Sequence, residues 1–225
     1  MLDYSCVLKH LESSLPDEFN GEYPTNLLCL TIPQSYKDSE LKVMVFGQET
    51  NDWYGSYSGE HNEDWLKEAY DEFFTSNDCF SYGGQFWNGV SRTVHQLENR
   101  TGKTVGLLWN NIVKIGKEVK GRPNQEILDW QKCAMSFILE ELKVAKPDVV
   151  IFFTGPFYDD LLIQTFEDMS FQELPDKNGR QLASVTSKHL PSKSVRTYHP
   201  NYLWRNDIDS YLNPIIDYVT QGIQT

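Results

Sequence analysis

Residues 41–50 read LKVMVFGQET, an almost unbroken apolar run that stops at a glycine and turns polar and acidic. A run of this length, rich in β-branched residues and without polar alternation, is the pattern of a strand buried on both faces. Three more stretches read the same way: TVGLLWN (104–110), DVVIFFTG (148–155) and SVRTYHP (194–200). Between the second and third lies NQEILDWQKCAMSFILEELKVAKP, whose apolar residues recur three and four apart before a terminating proline. Ile127, Trp130, Cys133, Ala134, Phe137, Ile138 and Leu142 would share its buried face. Helical spacing also fits 63–74, roughly 86–100, 157–168 and 207–221, whereas 15–40 and 50–62 read as polar loops. Strands that alternate with helices predict an α/β fold with a parallel sheet covered on both faces.

The chain has 225 residues, 40% of them hydrophobic, enough for one sizeable domain spanning 1–225. It shows no repeat, no low-complexity tract and no Gly/Ser/Pro linker. The N-terminus, MLDYSCVLKHLESSL, lacks a basic start followed by an apolar run, and no stretch approaches a membrane span. A soluble, cytoplasmic protein with no membrane partner is expected. Cys6, Cys29, Cys79 and Cys133 form no C-x-x-C pair and no zinc spacing, so buried reduced thiols are expected and neither metal nor cofactor is indicated.

The formal net charge is −12, which opposes broad nucleic-acid binding. Its distribution is uneven. Residues 99–125 hold 6 bases and 1 acid, and residues 180–206 hold 5 bases and no acid, while 1–98 hold 17 acids and 5 bases. The two basic segments are candidates for a shared positive face.

Open α/β sheets place their sites at the C-terminal ends of strands, and several chemically capable groups fall there. Glu49 follows the first strand and could activate water, or be a solvated loop residue. Asn110 and Asn111 end the second, where an amide can read a planar ligand or simply stabilise a turn. Asp159 and Asp160 fall in the first turn of the helix after the third strand, which explains them without chemistry. His199 ends the fourth, where an imidazole could stabilise a developing anion, or be ordered by a neighbouring carbonyl.

This order of motifs resembles the uracil-DNA glycosylase superfamily. GQE (47–49) looks like its first motif, LLWN (107–110) like its second and HPNYL (199–203) like its third, over about residues 41–205. CFS (79–81) looks like the segment that supplies the family's base-stacking phenylalanine. The resemblance implies a three-layer α/β/α fold with a short four-stranded parallel sheet, and a DNA glycosylase that hydrolyses the N-glycosidic bond of uracil or a related base flipped into a pocket. It further implies that Glu49 positions the water and His199 stabilises the leaving base. Phe80 stacks on the base (Phe86 in a shifted alignment), Asn110 reads its edge, Gln48 contributes mainly through its backbone, and Leu203 is the wedge that fills the duplex. Glu49 stands where aspartate is commoner, and Thr50, Asn51, Asn201 and Tyr202 replace the family's usual residues. DNA, single- or double-stranded, is the expected partner. The alternative is an inactive glycosylase-fold module whose acidic surface binds a basic protein or mimics DNA; a third reading keeps the chemistry but takes a free nucleoside or nucleotide.

Overall fold

In the computed structural model, which describes residues 2–175 and 177–223, six strands form one mixed sheet in the order β2-β1-β3-β6-β5-β4. The strands are β1 (Leu41–Asn51), β2 (Val105–Lys117), β3 (Val149–Phe152), β4 (Ser170–Glu173), β5 (Leu182–Thr186) and β6 (Lys193–Thr197). β1 pairs in parallel with β2 and β3, and β3 with β6, whereas β5 is antiparallel to both β6 and β4. The sheet is therefore six-stranded and mixed, not four-stranded and parallel. β4 escapes the sequence pattern because it is a four-residue edge strand, exposed or half-buried throughout, and β5 because its run LASVT is short and mixes small and polar residues with the apolar ones.

The helices are α1 (Ser5–Ser13), α2 (Gln34–Asp38), α3 (Glu63–Tyr70), α4 (Asp78–Ser81), α5 (Gln85–Thr101) and α6 (Gln125–Trp130). They continue with α7 (Lys132–Ser136), α8 (Ile138–Ala145), α9 (Asp159–Phe166), α10 (Pro200–Arg205) and α11 (Asp209–Thr220). The long amphipathic stretch at 124–147 is thus three short helices, with Ile127, Ala134, Ile138 and Leu142 buried as the spacing requires. The span 50–62, read as a loop, begins inside β1, and 15–40 contains α2.

β1 and β2 run well beyond the expected glycine and asparagine. Register holds from Leu41↔Val105 through Gly47↔Asn111 to Glu49↔Val113, then shifts at a bulge before Asn51↔Lys117. Bulges increase local twist and re-aim side chains, and this one adjoins Glu49. The strand β3 delivers its chain into a short 3-10 turn, Pro156–Tyr158, directly before α9.

Alternation along β2 sends neighbouring side chains to opposite faces. Asn110 meets Glu141 of α8 on one face, while Asn111 lies close to Phe86 of α5 across Gly47 on the other. Helices therefore cover both faces of the sheet. No helix among the described residues is long and apolar enough to cross a membrane.

Candidate functional site

At the C-terminal end of the parallel strands lies a cavity of about 760 Å³, lined among others by Gln48, Glu49, Trp53, Phe86, Trp109, Asn111, Lys120 and His199. That volume falls within the range of sites that enclose small organic ligands. Its floor is aromatic: the Trp109 ring lies 5.5 Å from Trp53 and 5.2 Å from Trp87. The acidic segment after β1 is part of the enclosure, since Asp52, Trp53, Tyr54 and Phe73 all border the cavity.

Glu49 is half-buried, and its Oε2 accepts a hydrogen bond from the Tyr158 hydroxyl. Burial pushes its carboxyl above the ordinary value; the Tyr158 hydroxyl, Lys117 and Arg122 act in the opposite direction. Gln48 is tethered to the end of β3 through Nε2, which donates to the Thr154 carbonyl at 2.7 Å.

His199 caps α10. Its Nδ1 accepts from the backbone N–H of Asn201 at 3.2 Å, and burial pushes the ring down to about 4. A neutral imidazole whose Nδ1 accepts carries its proton on Nε2. The side chain is therefore a neutral donor at physiological pH. Phe86 stacks on it with ring centroids 5.4 Å apart and planes at 26°. Gly89 of α5 lets this wall close, because a Cβ there would sit 2.6 Å from Pro200 Cβ.

Asn111 is 2% exposed, and its Nδ2 has no partner among the described residues. A buried amide donor left unpaired is costly, and in a cavity wall it is a group suited to a ligand acceptor. Gly47 makes the placement possible, since a Cβ there would meet Asn111 Oδ1 at 2.3 Å.

The structure brings Glu49, His199 and Gln48 to one cavity and leaves out Asn110, Phe80 and Leu203. Asn110 is fully buried on the opposite face, where Nδ2 donates to Glu141 Oε2 at 2.6 Å and Oδ1 accepts from Lys114 Nζ at 2.7 Å. Its place in the cavity is taken by Asn111, because β2 continues through both residues instead of turning. Phe80 packs edge-on to Trp87 at 5.6 Å and borders a separate hollow with Phe74 and Val94; Phe86 lines the cavity instead. Leu203 is 0% exposed inside α10, so it is a core residue and not a projecting wedge.

Nothing in the sequence pattern singles out Tyr158. A signal for Asn111 did exist: the apolar run resumes as IVKIG after the asparagines, which marks a continuing strand. Among the described residues, no cluster of His, Cys, Asp and Glu could hold a metal ion.

The first basic segment is largely neutralised, with four of its six bases in ion pairs, whereas in the second Arg196 is the one of five that is paired among the described residues. Arg100, Lys114, Lys117 and Arg122 pair with Asp217, Glu141, Glu22 and Asp160, and Arg196 pairs with Asp159. Lys120 is the base that borders the cavity. The chain matches no protein-family model, and no curated protein matches it.

Proposed function

We propose that this protein hydrolyses the N-glycosidic bond of uracil or a related base held in the cavity, as the order of its motifs suggests. One observation carries the reading. A half-buried carboxylate, a neutral imidazole donor and an unpartnered buried amide, drawn from β1, the β6–α10 junction and β2, line the same cavity.

Asn111 takes the base-reading part in place of Asn110, its free Nδ2 facing an acceptor on the base. The bond between sugar C1′ and the base nitrogen breaks, and its electron pair leaves with the base. His199 Nε2–H donates a hydrogen bond to the negative charge that develops there. Ionised Glu49 orients a water and stabilises the cationic sugar; the water adds to C1′ and gives its proton to the carboxylate. The parallel order β2-β1-β3-β6 supports the reading by putting the contributing segments at one sheet edge.

The ion pairing of four of the six bases in 99–125 favours a substrate with few phosphate contacts, an unpaired strand or a free nucleoside, over a long duplex. Base release from a single-stranded oligonucleotide with one uracil, and from deoxyuridine, tests both at low salt. Glu49→Gln and His199→Ala are each expected to reduce release at least tenfold, a conservative bound for loss of acid–base or electrostatic catalysis. Release that neither substitution changes would reject the assignment. No release and no DNA binding would instead favour the acidic, protein-binding module.

A further inference from the structure

The groups that face Glu49 from outside the cavity form a chain of their own. Tyr158 is 5% exposed and donates its hydroxyl to Glu49 Oε2. The Arg122 guanidinium lies 5.3 Å from the centroid of the Tyr158 ring. It is fixed in turn by the Phe157 carbonyl, at 2.7 Å, and by a two-pronged pairing with Asp160. Asp160 thus does more than favour the helix start. Among the described residues no donor reaches Glu49 Oε1.

We infer that Tyr158, backed by Arg122, is a positioning residue that holds one oxygen of the Glu49 carboxylate and leaves the other to orient a water in the cavity. A glutamate has three rotatable side-chain torsions, so a carboxylate without such a tether would spread over several rotamers. The tether comes from the turn after β3 and its support from the loop after β2, so three separate segments fix one carboxylate. A phenol suits this role, because its own ionisation is pushed far up by burial and by Glu49, and it remains a donor throughout the working range. The inference rests on the reading of Glu49 as the water-orienting acid.

The charged groups that bear on Glu49 are Lys117, itself paired with Glu22, and Arg122, paired with Asp160. Both cations and the Tyr158 hydroxyl favour the ionised carboxylate. Tyr158→Phe keeps the ring and removes only the donor. Titration of the Glu49 side-chain carboxyl carbon by NMR, in the folded full chain, is expected to move up by about one pH unit, the size of one hydrogen bond to a charged group. The acid limb of base release should move up by the same amount, with a fall in kcat and an unchanged KM. Arg122→Gln should shift the titration the same way by less. A folded Tyr158→Phe protein whose Glu49 titrates as in the wild type overturns the inference. If the wild type releases no base, the proposed function fails, and the NMR titration still decides whether Tyr158 holds the carboxylate.

Discussion

Lys114→Met tests the most demanding feature of the interior. Lys114 and Glu141 form an ion pair at 2.7 Å with both side chains 0% exposed. Tyr4 donates its hydroxyl to Glu141 Oε1, Asn110 donates to Oε2, and Asn110 Oδ1 accepts from Lys114 and from the Asn111 N–H at 2.9 Å. Methionine has the length of the lysine stem without the cation, so the packing is kept and the charge balance lost. An unpaired carboxylate in such surroundings costs about 3–5 kcal/mol. For a chain of this size that corresponds to a fall in Tm of roughly 6–20 °C. Urea denaturation followed by far-UV dichroism measures it, and the m-value shows whether the unfolded state has changed as well. Lys114→Met/Glu141→Leu should be less destabilised than Lys114→Met alone, because it leaves no buried charge, although Tyr4 and Asn110 still lose a partner. A single-variant loss below about 1 kcal/mol with an unchanged m-value would refute the reasoning, since only a hydrated or uncharged pair costs so little.

The cavity and its surroundings give further expected outcomes. Asn110→Ala should destabilise the fold by about 1–3 kcal/mol by stripping partners from Lys114 and Glu141. Asn111→Ala should leave Tm nearly unchanged while weakening ligand selectivity, and thermal melts beside base-release assays separate the two. Gly47→Ala should cost activity more than stability, because the new Cβ would displace the Asn111 amide from 2.3 Å away; a variant with full activity would contradict that contact. His199, held near 4 when folded against an ordinary 6.5, contributes stability above pH 6.5 that is lost as pH falls through 4. The unfolded chain takes up the proton first, so the difference in stability between wild type and His199→Asn should shrink across that interval in denaturation series.

The parallel strands were legible because each is buried on both faces and so appears as an apolar run. Their ends were not. Gly47 and Asn110 look like stops, yet the cross-strand pairing of β1 with β2 carries the ribbon on to Asn51 and Lys117. This one misjudged boundary explains the exchange of Asn110 for Asn111, since a strand reverses its facing at every residue. Glu49 and His199 could be found because polar groups that close apolar strands are conspicuous. Leu203 could not be judged, because an apolar residue on a short helix reads alike whether it projects or packs inward. The pairing of the basic residues was invisible for a different reason: Lys117 meets Glu22, and Arg100 meets Asp217, across long stretches of chain. Composition alone made a positive segment of 99–125, where the fold pairs four of the six bases with acids distant in the chain.

The close seat of Pro200 on Gly89 has a mechanical consequence. α5 carries Phe86, His199 caps α10, and the Pro200 ring sits directly against Gly89 where the two helices touch. Arg92–Asp209 and Arg100–Asp217 fasten α5 to α11 as well. The imidazole and the ring stacked on it thus belong to one stiff body, and neither can swing aside alone. Residues 82–84 lead directly into α5 and so border the cavity beside that body, while residues 52–54 border it from the segment after β1.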